Sequence, residues 1–285
     1  MSELNHIDIS TWDKVGEGGN GSVYTHPQEP GVLLKVSNHT LTEGSLDAVS
    51  KEFYTSKAVF DLGIPTPEMY EIVRVGEDYG IKCQQVDGKK SLAKMSGEEP
   101  GSIDAYAARM AQLARELHGT SAMGSEWIPS MKALMLEVLD KTSMISGRTL
   151  QRVRTLVEGL EDAPTLLHGD FTFSNIIFAQ DKPYWIDLGR ATHGLPMFDL
   201  GHFYLFCNIF AKRQRVQDIA HMTGEQMAQF WNSFALAYNG PNGLDEFQAR
   251  CKCFAGLDVL LLGHIQHLTF SERFFLGQLA KMLVK

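Results

Sequence analysis

Cysteine is scarce in this chain, and its placement is uninformative for metal binding. Among 285 residues there are four, Cys83, Cys207, Cys251 and Cys253. None forms a C-x-x-C pair, and Cys251 and Cys253, two apart on a predicted helix, point in different directions, which argues against a shared metal. Free thiols in a reducing compartment are expected. Long apolar runs are missing as well. Val259-Leu260-Leu261-Leu262 is followed at once by Gly263-His264, whereas a spanning helix needs a run of roughly 18 residues. Met1-Ser2-Glu3-Leu4-Asn5 lacks the charged-then-apolar pattern of a signal segment, so a cytoplasmic protein without a membrane partner is expected. An excess of positive charge is missing too: 26 Lys and Arg face 34 Asp and Glu, for a net charge of -8. The densest basic stretch, Lys212-Arg213-Gln214-Arg215, reads as a solvated helix end, and a nucleic-acid partner is not expected. Repeats and low-complexity segments are absent. The hydrophobic share of 44% and charged share of 21% suit a chain of this length with a sizeable core, in one large domain or two smaller ones.

The first ninety or so residues read as strand-rich. Short apolar or β-branched stretches at 12–17, 21–25, 32–37, 69–75 and 79–86 predict strands. One helix interrupts them. Ser45 or Asp47 caps it, Val49, Phe53 and Phe60 form its stripe, and it ends at Gly63 before Pro65 and Pro67. A connector follows at 86–90. Beyond it the pattern turns helical. Ser102 is the predicted cap of a helix that buries Ile103, Tyr106, Met110, Leu113 and Leu117 and stops at Gly119. Further helices are predicted over 131–145 and 150–160. Two short strands, 176–178 and 184–186, flank a turn at 180–183. From about Phe198 helices run to the end, broken at Gly224, at 239–243 and near Gly263. The predicted class is α+β in two lobes: residues 1–88, a small antiparallel sheet plus one helix, and residues 89–285, larger and mainly helical.

The most specific segment is His168-Gly169-Asp170-Phe171-Thr172-Phe173-Ser174-Asn175, followed by Asp187-Leu188-Gly189 at the end of an apolar strand. This is H-x-D, four residues, N, then D-x-G. Phosphoryl transfer needs one carboxylate at the attacking hydroxyl, and an amide and a second carboxylate to hold Mg²⁺ against the phosphates. Asp170 is the candidate that orients or deprotonates the acceptor hydroxyl, orientation weighing more because the transition state is largely dissociative. Asn175 and Asp187 are the candidate Mg²⁺ ligands. His168 is expected to shape the loop through backbone bonds; general base is its rival role. Upstream, Gly16-Glu17-Gly18-Gly19-Asn20-Gly21-Ser22-Val23 fits G-x-G-x-x-G-x-V. Strand formers follow it, so Gly16, Gly18, Gly19, Gly21 and Val23 are expected in a hairpin that folds over phosphates rather than at the start of a helix. In Val32-Leu33-Leu34-Lys35, the strand alternation lets Lys35 point under that loop. Glu52 on the following helix is the preferred carboxylate partner of Lys35, ahead of Glu43 and Asp47 near the helix start. Backbone near Gln85 and Val86 is the expected contact for adenine.

Between Asp187 and Asp199 there is no room for the long phosphorylatable segment and A-P-E triplet with which protein kinases dock peptides. Leu195-Pro196-Met197-Phe198-Asp199 stands there instead, which points to a small acceptor. Asp199 itself reads as a helix N-cap that braces the loop or as a carboxylate facing the acceptor. His264 and His267 read as ordinary core or surface residues. Phe203, Tyr204, Phe206, Phe210, Trp231, Phe234, Tyr238, Phe274 and Phe275 read as core by default, the last five with an acceptor pocket as the second reading.

In these residues the chain resembles, over most of its length, the aminoglycoside phosphotransferase and choline kinase group of kinase-like phosphotransferases. His168-Gly169-Asp170 is that group's form of the loop. Leu62-Gly63-Ile64-Pro65-Thr66-Pro67, Leu117-His118-Gly119 and Phe198-Asp199-Leu200 are similar to its further landmarks. Gly16 to Tyr24, Tyr79-Gly80-Ile81 and Ser91-Leu92-Ala93-Lys94 resemble more narrowly a bacterial subgroup of phosphotransferase-like proteins. Two departures stand out: Thr172-Phe173 where the group has His-Pro, and Gln84-Gln85-Val86 without the acidic residue common in its connector. The resemblance implies a two-lobed protein-kinase-like fold and ATP- and Mg²⁺-dependent transfer to a hydroxyl. The overall acidity tilts the expected acceptor towards an amine-bearing one, an aminoglycoside or amino alcohol, although fourteen acids against eight bases fall in the first ninety residues and the remainder, twenty against eighteen, is near neutral. Asp199, Asp258 and Glu272 are the carboxylates to test. Two other classes stay open. A protein Ser/Thr kinase needs a peptide-docking segment. A nucleotide-binding pseudokinase with a regulatory role needs a lost catalytic group, whereas Lys35, Glu52, Asp170, Asn175 and Asp187 are all present. Monomer and dimer are both open.

Overall fold

The computed structural model describes residues 4–18, 21–39, 44–265 and 268–284. By internal contacts the chain forms two units: Met1–Lys90 with Ile177–Arg190, and Ser91–Ile176 with Ala191–Lys285.

The first unit is built on a six-stranded sheet. Its strands are β1 (Asn5–His6), β2 (Asp13–Gly18), β3 (Gly21–Thr25), β4 (Val32–Ser37), β5 (Met69–Val75) and β6 (Asp78–Gln84), in the order β1-β5-β6-β4-β3-β2. The neighbours from β5 to β2 pair antiparallel. The exception is the unforeseen two-residue β1, which runs parallel to β5, Asn5 opposite Val73. Helix α1 (Leu46–Asp61) is capped by Ser45, whose hydroxyl accepts from the Ala48 N–H at 3.2 Å, so Ser45 and not Asp47 is the N-cap. The helix buries Val49, Phe53, Ser56 and Val59. Phe60 stays exposed, because the buried stripe advances from Phe53 in steps of three and ends on Val59.

Strand alternation divides the unit's core between two faces. Leu34 and Val36 pack with Val73 and Val75 on one side. Leu33 packs on the other with Val49, Phe53, Ile81 and Cys83. Lys35 shares the face of Leu33, and that is the face α1 covers.

The segment 177–190 belongs to this unit although it lies between stretches of the other. It contains most of β9 (Ile176–Ala179) and all of β10 (Lys182–Trp185), which pair with each other. The turn is two residues long, not the four expected. Gln180 and Asp181 have φ of 49° and 65°, as a tight primed hairpin turn requires at both central positions. Pro183 then falls inside β10, tolerated because β10 is an edge strand and a proline there removes no ladder bond.

The second unit is mainly helical. A two-residue strand β7 (Lys90–Ser91) leads into α2 (Leu92–Glu98), followed by α3 (Ile103–His118), α4 (Met131–Lys141) and α5 (Gly147–Glu158). Ser102 precedes α3 but makes no side-chain cap, because a 3-10 turn over Pro100–Ser102 runs directly into the helix. Strand β8 (Leu166–Leu167) pairs antiparallel with β11 (Thr192–His193). Then come α6 (Met197–Tyr204), a π-helical turn over Leu205–Ile209, α7 (Gln214–Ala220), α8 (Gly224–Asn239), α9 (Leu244–Ile265) and α10 (Phe270–Leu283). The break expected near Gly263 falls just beyond it, where α9 ends at Ile265. Gly263 itself lies within α9, where Met144 packs against it and leaves no space for a side chain. At the α6–α9 crossing, a Cβ added to Gly201 would stand 2.7 Å from Phe254 backbone and side chain, so only glycine lets these helices approach so closely. His267, like Gly19 and Glu43, lies outside the described residues.

All four cysteines are free; Cys83, Cys207 and Cys251 are buried. Among the described residues no helix is long and apolar enough to cross a membrane.

Candidate active site

The first unit brings Lys35, Glu52 and Asp187 together. Lys35 Nζ donates to Glu52 Oε1 at 2.6 Å and to Asp187 Oδ1 at 3.3 Å. The geometry follows from the two periodicities: Lys35 points from the sheet face that α1 covers, and Glu52 directly precedes the buried Phe53 on α1. Burial by itself would lower the pKa of Lys35, but the Glu52 and Asp187 carboxylates outweigh it and hold the ammonium above its ordinary value. Asp187 has a φ of 58°, a left-handed conformation that Asp tolerates better than most side chains. The glycine of Asp187-Leu188-Gly189 has its own reason. A Cβ there would lie 3.1 to 3.3 Å from the side chain and Cα of Glu52. Of the two alternatives to Glu52, Asp47 occupies the first turn of α1.

The described parts of the glycine-rich segment, 16–18 and 21–23, lie on the paired antiparallel strands β2 and β3. Gly16 lies opposite Val23 and Gly18 opposite Gly21, with a register shift between Lys14 and Gly16. Gln85 and Val86 follow β6. Val86 is buried, and Gln85 donates from its backbone to Gly31 O at 2.8 Å and from its side chain to Asp87. A cleft of about 410 Å³ opens here, lined by Gln84, Gln85, Val86, Asp87, Ala179, Gln180, Lys182 and Tyr184.

In the second unit the loop after β8 holds the other predicted residues. Asn175 Nδ2 donates to the Asp170 main-chain oxygen at 2.8 Å and to Asp170 Oδ2 at 3.1 Å. The fully buried His168 accepts from the Asp170 N–H at Nδ1, 3.2 Å away, the loop-shaping bond expected of it. Gly169 has a φ of 80°, which a glycine adopts without strain. Phe171 and Phe173 are fully buried and point into an aromatic core: Phe171 meets Phe203 and Phe234, and Phe173 meets Phe203, Phe206 and Phe230. The loop is thus anchored by two rings while Asp170, between them and Gly169, stays partly exposed.

Asp199 braces the same loop, though not as an N-cap. It lies inside the first turn of α6, after the cap position Pro196. Its Oδ2 accepts from the His168 N–H at 2.7 Å and its Oδ1 from the Gly169 N–H at 2.9 Å. His118 Nε2 is 3.2 Å from Oδ2, and Tyr238 Oη lies 2.9 Å from His118 Nδ1. Burial opposes ionisation of Asp199, but His118 and the backbone N–H of His168 outweigh it and keep the carboxyl below its usual range.

The family model of the phosphotransferase enzyme family matches residues 24–230. The chain belongs to this family. No curated protein matches it in sequence. Among solved structures it is similar to a thermostable mutant of the aminoglycoside phosphotransferase APH(4)-Ia in ternary complex with ADP and hygromycin B, at 14% identity over 96% of this chain and 93% of that one, with a TM-score of 0.63. It is also similar to a choline/ethanolamine kinase family protein from Mesorhizobium loti, at 15% identity over 96% and 88% of the two chains, TM-score 0.57. A third is the amicoumacin kinase hAmiN, at 14% identity over 99% and 90%, TM-score 0.53. These likenesses show the kinase-like fold.

Sequence reasoning missed one residue of this phosphotransferase's loop region. His202 on α6 places Nε2 3.2 Å from Asp170 Oδ1 and Nδ1 3.0 Å from Asp258 Oδ2 on α9. A signal existed: His202 follows Asp199 by three residues on one helix, so the two share a face. The carboxylates singled out for an amine-bearing acceptor are differently engaged. Asp199 and Asp258 are buried against His118 and His202, and Glu272 closes a capping box with Thr269 at the start of α10. Of the aromatics considered for a pocket, Trp231 and Phe234 are buried core, while Phe274 and Phe275 are exposed.

Proposed function

We propose that the protein transfers the γ-phosphoryl group of ATP to a hydroxyl of a small molecule. The observation that carries this is the Lys35–Glu52 ion pair with Asp187 beside it, in a chain whose H-x-D loop presents Asp170 and Asn175 bonded to each other. In this reading the Gly16 to Val23 hairpin covers the phosphates, with Gly18, Gly19 and Gly21 allowing close backbone approach. Lys35, held by Glu52, contacts them, and adenine occupies the cleft beside Gln85 and Val86. Asp170 accepts the hydrogen bond of the acceptor hydroxyl and aims its oxygen at phosphorus.

Asp187 and Asn175 are the proposed Mg²⁺ ligands. The donor set fits a hard cation: a carboxylate and an amide whose Nδ2 is committed to Asp170, which leaves Oδ1 to ligate. Among the described residues no group of three or more His, Cys, Asp or Glu would hold a metal alone, and Mg²⁺ usually completes its shell with phosphate oxygens and water. When bound, Mg²⁺ neutralises charge that develops on the phosphates.

The small acceptor is supported by the short passage from Asp187 to α6. Part of it is already used as β11, paired to β8, so it offers no platform for a peptide. That fold neighbours were crystallised with hygromycin B and with amicoumacin favours an aminoglycoside or amino alcohol within this class. Radiolabelled ATP offered to an amine-and-sugar panel and to a peptide library should label members of the first and none of the second. Labelled peptides with no labelled small molecule would reverse the reading, and transfer only to uncharged or anionic acceptors would discard the cationic substrate.

Lys35 and Glu52 should act as one unit on catalytic efficiency. In a double-mutant cycle with Lys35→Ala and Glu52→Ala, a coupling of about 0.5–3 kcal/mol is expected for side chains in contact. Additive losses would make Glu52 the wrong partner.

A further inference from the structure

We propose that His202 is a positioning residue for Asp170, a charged clamp that fixes the orientation of the carboxylate that receives the acceptor hydroxyl. This rests on the phosphotransferase reading above. Asp170 is gripped at both oxygens: Oδ1 lies 3.2 Å from His202 Nε2, and Oδ2 accepts from Asn175 Nδ2 at 3.1 Å. His202 is itself gripped from behind, with Nδ1 3.0 Å from Asp258 Oδ2.

A neutral imidazole has one N–H and would satisfy only one of these carboxylates; the imidazolium donates to both. The groups facing His202 are Asp170 from the loop and Asp258 from α9. On its own helix Asp199 is turned to His118 and the loop backbone. Burial would drive His202 neutral, yet the two carboxylates outweigh it and hold its pKa well above the ordinary value. The α6–α9 contact at Gly201, the residue before His202, brings Asp258 into reach. The clamp has a chemical consequence. A carboxylate bonded to an imidazolium is a weaker base but a better-fixed hydrogen-bond acceptor. A loose phosphoryl-transfer transition state asks for orientation more than for proton abstraction.

Two measurements on the full chain test this. The first is NMR of the His202 ring nitrogens in the absence of any substrate. Both nitrogens should be protonated at neutral pH, and Asp170→Asn should shift the titration of His202 downwards. A neutral ring at neutral pH, or a titration indifferent to Asp170→Asn, overturns the clamp whether or not the protein transfers phosphate. The second is turnover with Mg-ATP, using an acceptor from the panel above or water. His202→Ala should lower kcat about 10- to 100-fold, the range of supporting-partner losses, with Mg-ADP affinity unchanged and partial rescue in His202→Gln. Asp258→Asn should give the same pattern more weakly, and thermal unfolding identifies a variant that has lost its fold. Unchanged kcat in a folded His202→Ala overturns the proposal. A wild-type chain that shows the coupled imidazolium but transfers no phosphate to any acceptor or to water refutes the functional reading rather than the contact.

Discussion

Asp187→Ala is expected to abolish turnover and to weaken Mg-ADP and Mg-ATP binding markedly, whereas Asp170→Asn should keep nucleotide affinity and lose turnover by about 10²- to 10⁴-fold, the usual span for a group at the transferred proton. The difference follows from where each carboxylate points its charge. Asp187 stands beside the Lys35 ammonium, in the unit that carries the glycine-rich strands, and its side chain is about half exposed at 54%. Removing it leaves the 2.6 Å Lys35–Glu52 pair in place, so local structure should survive and the loss should report on the metal. Asp170, on the loop of the second unit, accepts from Asn175 and lies beside His202, and the Asn substitution keeps its size. Titration calorimetry with Mg-ADP, beside a coupled ADP-release assay, separates the two. Unchanged Mg-nucleotide affinity in Asp187→Ala would remove it as a metal ligand, and equal affinity losses in both variants would refute the division of roles.

How much of this was legible in the sequence depends on the range of the contacts. Lys35 and Glu52 could be paired from the sequence alone because each rests on a local periodicity, alternation in β4 and the helical repeat of α1, and both patterns point to one interface. The loop residues could be placed because their spacing is itself the signal. The buried polar bonds around Asp170 were not legible. The sequence offers Asp199 as a cap that braces the loop or as a carboxylate facing the acceptor, the first because short carboxylates at helix starts usually cap. Here the cap position falls on Pro196, and the Asp199 carboxylate turns instead to two loop N–H groups some thirty residues away in sequence. His202 needed a second distant partner, Asp258, brought close only by a glycine crossing between α6 and α9. The unit membership of 177–190 likewise depends on three-dimensional contacts that linear order does not display. The replacement of His-Pro by Thr172-Phe173 was visible as a departure, but its physical content, a buried ring that pins the loop into the aromatic core, lies in contacts with residues 30 to 57 positions further along the chain.

Asp199→Asn should destabilise the second unit by about 1–3 kcal/mol or more, the cost of leaving a buried hydrogen-bonding group unsatisfied. The Asp199 carboxylate accepts the His168 and Gly169 N–H bonds on its two oxygens and faces His118. An amide of the same shape keeps one acceptor and turns an N–H donor towards a group that is itself a donor, so at least one buried N–H loses its partner. The pH dependence carries the same signature. The folded Asp199 carboxyl titrates below its ordinary 3.8, so between those two values the unfolded chain binds a proton that the folded chain does not. The stability it contributes is therefore present above about pH 3.8 and lost as pH falls through the lower folded value. Chemical unfolding across the acid range should show a shallower acid slope in Asp199→Asn than in the wild type, together with the lower plateau at neutral pH. An unfolding midpoint within the error of wild type at neutral pH, or an unchanged acid slope, would show that the loop keeps its shape without this carboxylate. Turnover should fall in the same variant even where it remains folded, because the two N–H groups that Asp199 holds belong to the residues immediately before Asp170.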